Sequence, residues 1–530
     1  MAGFNFERDL PHQVNAVNSI MDTFSGVQSS ELQDKTIASL ANPIVQLGGS
    51  LLVENLNRVQ DRNSIDTKDD AYRNKASNIF DISMETGTGK TYTYTKMMFE
   101  LHKNLNVGKF IVIVPTLSIK AGTINFLKAK ATREHFRQEY NGCDIKTYIV
   151  ESQNNKSKKS HLPQAIREFV EARRTSRAIH VLVINAGMIN SETMTKDFGV
   201  TLLDKYSSPY DAIAATKSFT IIDEPHKFAT ANKTWANIEK LQSQYIIRYG
   251  ATFNDQYENL IYNLTAVDAF NNDLVKGIIT HIEDFDQKED VSVKLINTDG
   301  KEARFELNQN GKKSTYKLIK DASLSKVHNA MHDLNITSMN KSVVVLSNGL
   351  ELKKGYTINP YSYDQSLQDK MIESAIKRHF EIEKDLLTRE VKIKPITLFF
   401  IDDIAGYRDG DNISGSLKTK FEEVATGYIT ETLKTETNQF YIDYLKKSLE
   451  DMSIIHGGYF SKDNTEKDDK IEKEVNEILH DKETLLSLDN TRRFIFSKWT
   501  LREGWDNPNV FQICSLREMG TERERRQTIG

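Results

Sequence analysis

Four short β-branched apolar runs, Lys109–Val114, Ile179–Ile184, Ser218–Ile222 and Tyr245–Tyr249, recur with helical stretches between them. Runs of this kind, apolar on both faces and separated by helices, are the sequence form of a parallel sheet buried on both sides. They predict an α/β lobe over residues 1–265. A second set, Ile396–Ile401, Phe494–Phe496 and Val510–Ile513, predicts a second parallel-sheet lobe over 352–530. Two stretches fit neither lobe. Residues 28–78 are polar and read as a helical or partly disordered insertion in the first lobe. Residues 266–351 read as a linker with a small β-containing insertion, because short alternating strands from Val291 to Val345 are broken by Asp299-Gly300 and Asn310-Gly311, both hairpin signals.

A chain of 530 residues holds several domains at roughly 100 to 200 residues each. Its 38 % apolar and 27 % charged content is ordinary for a globular protein, and no apolar run approaches the roughly 18 to 20 residues of a membrane span. The N-terminus lacks a secretory layout and only Cys143 and Cys514 are available to pair, which together favour the cytoplasm. A net charge of −4 excludes nucleic-acid binding through bulk positive charge, so any such grip is local. The candidate is Gln153–Arg177, where Lys156, Lys158, Lys159, Arg167, Arg173, Arg174 and Arg177 crowd together, although an Arg/Lys-rich helix with Glu168 and Glu171 interleaved is more often a solvated face.

The strongest chemical signal is Met84-Glu85-Thr86-Gly87-Thr88-Gly89-Lys90-Thr91, between the strand-like Ile79–Ser83 and a helical run from Tyr92 to Asn104. Glycines let the backbone turn its N–H groups toward phosphate oxygens, a lysine reaches the β- and γ-phosphates, and a threonine hydroxyl binds Mg²⁺. Met84 stands where the strict pattern has a small residue, but the contacting groups all lie in Gly87, Thr88, Gly89, Lys90 and Thr91. The second signal is an apolar strand running into Asp223-Glu224-Pro225-His226. After a phosphate loop, the first carboxylate holds Mg²⁺ and the second orients and polarises the attacking water. Alone, such a pair would read as a solvated turn.

Three further matches follow. Gln13, preceded by Phe4, Leu10 and Pro11, is placed to read adenine, because one amide pairs with both a donor and an acceptor edge. Val114-Pro115-Thr116 and Gly250-Ala251-Thr252 each follow a strand, the first placed to touch a nucleic-acid backbone and the second to couple nucleotide state to lobe movement. Each tripeptide also reads as a plain strand-ending turn.

Ser497–Cys514, containing Arg502-Glu503-Gly504-Trp505-Asp506, and the final Arg525–Gly530 resemble the last two motifs of superfamily two helicases. With Met84-Glu85, Pro225-His226, Phe400–Arg408 and His456-Gly457-Gly458-Tyr459-Phe460, the chain is similar to the restriction (Res) subunit of type III restriction-modification systems. The resemblance implies two RecA-like lobes and an ATP- and Mg²⁺-using motor on double-stranded DNA. It also implies a separate DNA methyltransferase (Mod) subunit that reads the sequence. Carried over by position, Lys90, Thr91, Asp223 and Glu224 would be catalytic, and Thr91 and Asp223 would hold the metal. Gln13, Gly87, Thr88, Gly89, Gly504, Asp506 and Gln527 would bind nucleotide. Lys498 stands where many helicases of the superfamily have threonine.

Competing readings are a superfamily two RNA helicase, a type I restriction motor, and an ATP-binding DNA scaffold with weakened catalysis. Asp-Glu-Pro-His and the insertions argue against the first; the short segment ahead of Met84 argues against the second, whose nuclease precedes its motor. Type III restriction subunits carry their nuclease after the motor, and Gly530 falls inside the last motor motif, so the expectation is a chain that does not cut DNA by itself. Gln527 and Gly530 match Gln-x-x-Gly-Arg-x-x-Arg with both arginines past the last residue, and Arg525 and Arg526 precede that pattern, so slow turnover is expected.

Overall fold

A computed structural model describes residues 6–72, 74–75, 77–151, 162–198, 205–229, 231–253, 257–279, 291–331, 334–347, 350–363, 365–401, 407, 416–460, 477–478, 481–498 and 507–516. The chain forms two compact units, Met1–Ile278 and Ile279–Gly530.

The first unit is built on seven strands, β1 (Ile79–Met84), β2 (Lys109–Val114), β3 (Asp144–Ile149), β4 (Ala178–Asn185), β5 (Phe219–Asp223), β6 (Ile246–Gly250) and β7 (Leu260–Leu264). They form one all-parallel sheet in the order β3-β4-β2-β5-β6-β1-β7. Strands β1, β2, β5 and β6 are buried at every position, with the charges of Asp81 on β1 and Arg248 on β6 paired at 2.6 Å. Helices α1 (Pro11–Thr23), α2 (Gly49–Arg62), α3 (Lys90–Leu105), α4 (Leu117–Lys128), α5 (Lys130–Glu139) and α6 (Gln164–Glu171) accompany the sheet. Because all seven strands run the same way, the segments after β1, β2, β5 and β6 emerge along one edge, at the ends of four neighbouring strands.

The polar stretch 28–78 is firmly docked. Val45, Leu47, Leu56 and Val59 join Ala16, Val17 and Ile20 of α1 in the core of this lobe. Its amides satisfy distant backbone groups. Buried Asn42 accepts from the N–H groups of Gly108 and Lys109 and donates to the carbonyls of Lys109 and Lys217. Asn55 donates to the carbonyls of Thr23, the last residue of α1, and Ser25, just past it, and Gln60 and Asn63 donate to carbonyls of edge strand β7. Polarity here is hydrogen-bond satisfaction.

In the second unit a β module comes first. Strands β8 (Val291–Thr298), β9 (Glu302–Gln309) and β10 (Lys312–Ile319) form an antiparallel meander, with Gly300, Asn310 and Gly311 at positive φ in the turns. A three-stranded sheet, β11 (Ile336–Met339), β12 (Val343–Leu346) and β13 (Glu351–Lys353), shares its core, and β14 (Thr357–Ile358) pairs back on β8. Then come α7 (Gln365–Leu387), β15 (Ile396–Phe400), α8 (Ser416–Thr435), α9 (Gln439–Glu450), β16 (His456–Tyr459), β17 (Phe494–Ser497) and β18 (Val510–Ser515). These four strands form a second parallel sheet, β16-β17-β15-β18. Arg493 is fully buried against Glu383 (2.6 Å), which also accepts from Tyr441 (3.1 Å). Pairing and ring contacts with Tyr444 and Phe494 offset the desolvation of that charge.

Among the described residues, no helix is long and apolar enough to cross a membrane.

Candidate nucleotide site

Strand β1 ends at Met84, the chain turns through Glu85–Gly89, and α3 starts at Lys90. Gly87 and Gly89 sit at φ +79° and +88°, where a Cβ is penalised. A Cβ at Gly89 would also meet the Gln13 amide nitrogen, which would have to shift to admit it. The Thr88 hydroxyl donates to the Glu85 carbonyl at 2.7 Å, tightening the turn. The Thr88 carbonyl accepts from two side chains of α1, His12 Nε2 at 2.9 Å and Gln13 Nε2 at 3.2 Å. A carbonyl only accepts, so the His12 proton resides on Nε2. The buried Gln13 Oε1 has no partner among the described residues, which leaves an acceptor beside the loop for a donor such as a purine amino group.

Beside the loop, β5 ends in Asp223. Glu224 adopts φ +55°, ψ +64°, a left-handed conformation costing about 1 kcal/mol or more in a residue with a Cβ. Two contacts hold it there. Its N–H donates to the Tyr249 carbonyl on β6 at 2.9 Å, and Pro225 lies so close to β6 that a Cβ on Gly250 would sit 2.6 Å from its Cδ. The Glu224 carboxylate is then gripped from both sides, by Lys90 Nζ at 3.3 Å and His226 Nδ1 at 3.4 Å. Burial alone would raise the Glu224 pKa; the bond from His226 and the Lys90 charge outweigh it and keep the group ionised. Asp223 goes the other way. Burial first, and the adjacent Glu224 charge second, push its carboxyl up to about 7, against a smaller lowering by Lys90. Asp223 Oδ1 is buried without a partner among the described residues, so the site offers a divalent cation one uncommitted carboxylate oxygen next to an ionised glutamate.

This arrangement gives a pH prediction. The folded-state pKa of Asp223 lies above its unfolded value, so its contribution to stability is full below pH about 4 and is lost as pH rises through about 7. In chelator, Asp223→Asn should therefore raise the unfolding free energy by on the order of 2 kcal/mol at pH 8, seen as a higher denaturation midpoint, and match the parent near pH 4. Equal midpoints at pH 8 would contradict the assignment of a strained, buried carboxylate.

The family model for the type III restriction enzyme res subunit matches residues 9–255. The chain is 58 % identical over its whole length to the EcoPI Res subunit of Escherichia phage P1 and 57 % identical to the EcoP15I Res subunit of Escherichia coli. Over its whole length the chain is similar to these type III restriction Res subunits. It spans 55 % of the length of each of these two relatives. Among solved structures, a nuclease-deletion mutant of the type ISP restriction-modification enzyme LlaGI with a DNA substrate mimic aligns with 75 % of this chain and 29 % of its own, at 11 % identity and a TM-score of 0.25.

Pro115 and Thr116 follow β2, and the Thr116 side chain caps α4 by accepting from the Ile119 N–H at 3.3 Å. Gly250 ends β6 and Ala251 and Thr252 follow it. With the loop and the carboxylates they occupy the ends of neighbouring strands β2, β5, β6 and β1. Gly504, Asp506 and Gln527 lie outside the described residues, as do Lys156, Lys158 and Lys159 of the basic stretch. Arg174 from that stretch is a structural group: its side chain is largely buried and bonds the Ala41 carbonyl and Glu31. In the second lobe the two family-like segments meet, with Tyr407 Oη 2.6 Å from His456 Nδ1 and a Cβ at Gly458 excluded by the Tyr407 and Phe460 rings. Sequence reasoning passed over His12; its one signal was adjacency to Gln13.

Proposed function

We propose that this chain is the ATP-hydrolysing motor portion of a type III restriction enzyme, acting on double-stranded DNA beside a separate methyltransferase subunit that reads the sequence. The observation that carries this reading is the Lys90–Glu224 pair at 3.3 Å, set between the glycine-rich loop and the unpartnered Asp223 oxygen. Gln13 would bind the adenine edge, and loop N–H groups and Lys90 would bind the β- and γ-phosphates. Mg²⁺, when bound between Thr91 and Asp223, would neutralise phosphate charge. As Lys90 turns to the phosphates, Glu224 keeps His226 as partner, stays ionised, and is free to orient the attacking water and take its proton. Pro115 and Thr116 would meet the DNA backbone, and Gly250, Ala251 and Thr252 would transmit nucleotide state.

The test is ATP hydrolysis with and without duplex DNA, together with copurification of a methyltransferase. Hydrolysis that is Lys90-dependent and raised by duplex supports the reading; stimulation by RNA but not duplex DNA would replace it with an RNA helicase.

Gly250 supplies a specific expectation. Gly250→Ala should drive Pro225 off β6 and turn Glu224 away from the water position, because the 2.6 Å approach leaves no room for a methyl group. Turnover should fall at least about tenfold, equivalent to about 1.4 kcal/mol in the barrier, while ATP affinity changes less than about threefold. A matched loss in single-turnover rate and equilibrium affinity would show that the interlock does not act through Glu224.

A further inference from the structure

Helix α1 opens at Pro11, and its next two residues both reach the phosphate loop. Successive helix positions diverge by about 100°, so both reach one atom only because the loop crosses the start of the helix. That atom is the Thr88 carbonyl oxygen, which accepts from His12 Nε2 at 2.9 Å and Gln13 Nε2 at 3.2 Å, both side chains being buried. The helix behind them is fixed, because Ala16, Val17 and Ile20 are completely or almost completely buried in the same core as Met97 and Leu101 of α3.

In a trans peptide the C=O and the following N–H point in opposite directions. With the Thr88 oxygen turned to α1, the Gly89 N–H is turned away from it, and it finds no acceptor among the described residues. Glycine adopts either sign of φ at little cost, so Gly89, at φ +88°, would let this peptide turn over. The turned peptide would present an oxygen where the N–H now points, and that oxygen would repel a phosphate instead of binding it.

We propose that His12 is a positioning residue that keeps the Gly89 N–H turned to the phosphates of a bound nucleotide. The inference rests on the motor reading above. Gln13 shares the carbonyl, but its unpartnered Oε1 gives that amide a second task, and a base that engages it draws on the same Nε2 group. The imidazole has a single Nε2 proton and spends it on Thr88, so it holds the peptide while Gln13 meets the base.

The experiment compares the parent chain with His12→Phe, which keeps a ring and loses the donor, and His12→Gln, whose amide nitrogen can stand where Nε2 stands. Each is titrated with Mg²⁺ and an ATP analogue labelled on the ribose, and adenosine, which carries the base and no phosphate, is then used to displace the probe. His12→Phe should bind the analogue about threefold to tenfold more weakly, the scale of one hydrogen bond, with adenosine affinity unchanged. His12→Gln should recover most of the loss. A merely structural role would weaken adenosine in parallel. Analogue affinity like the parent's in His12→Phe, a parallel loss for adenosine, or no recovery in His12→Gln would each overturn the inference and leave the motor reading standing. A parent that binds no nucleotide, or binds it without needing Lys90, would overturn the motor reading itself. His12→Leu, smaller and equally without a donor, carries the same comparison if His12→Phe fails to fold.

Discussion

Lys90→Ala should reduce ATP hydrolysis by at least about 10² to 10³, to background in a steady-state phosphate-release assay with duplex DNA. The lysine is the first residue of α3, its side chain is nearly buried, and it faces both carboxylates: it sits 3.3 Å from Glu224 and its charge lowers the pKa of both Glu224 and Asp223. Removing it takes away the cation that would meet the transferring phosphoryl group, where charge is redistributed in the transition state. It also leaves two adjacent carboxylates with less compensation, so Asp223 holds its proton to higher pH and is a poorer metal ligand. Lys90→Arg should not rescue, since a planar guanidinium does not place a point charge on a narrow ammonium site. Turnover like that of the parent in Lys90→Ala would sink the site assignment.

The central strands of the first sheet were legible because they are buried on both faces. A continuous apolar run such as Lys109–Val114 then carries its own boundaries, and the structure has a strand over those same residues. Hairpin turns were legible for a local reason too, since Asp299-Gly300 and Asn310-Gly311 specify positive φ where the chain reverses. What escaped was decided at long range. Asn42, Asn55, Gln60 and Asn63 made residues 28–78 look loosely attached, yet each bonds a backbone group 30 to 200 residues away, beyond any window in which polarity is judged. Lys109 shows the same thing within a strand, its ammonium buried against the carbonyls of Phe169 and Val170 at the end of α6.

In the candidate site, residue types at fixed spacing pointed to the phosphate loop and the carboxylate pair, but the geometry that places them was not written locally. Nothing in Asp-Glu-Pro-His says that Glu224 is held at positive φ. That follows from Tyr249 and from the room Gly250 leaves for Pro225, both on a different strand. His12 matters only because α1 lies against the loop, so that two donors converge on the Thr88 carbonyl. Tyr94 reads in sequence as an ordinary core aromatic of a helix, and its contact with Thr123 becomes visible only when α4 is seen beside α3.

Glu224→Gln should separate binding from hydrolysis. The amide is isosteric, so the strained backbone, the Tyr249 bond and the Pro225–Gly250 contact all persist. Its oxygen still accepts from Lys90, but it carries no charge and is too weak a base to take a proton from water, so the single-turnover rate should fall by about 10² to 10⁴. ATP affinity should hold or rise, for two electrostatic reasons. The parent sets an ionised Glu224 where the γ-phosphate arrives, and the amide removes that repulsion. The same charge helps to push the Asp223 carboxyl up, so its loss lowers the Asp223 pKa and leaves more of the uncommitted oxygen ionised for the metal at neutral pH. The expected product is a chain that retains ATP with Mg²⁺ and hydrolyses it slowly, read by equilibrium binding beside rapid-quench turnover. Parallel loss of affinity and rate would place Glu224 among the groups that hold nucleotide, and the role of water-activating base would pass to another residue.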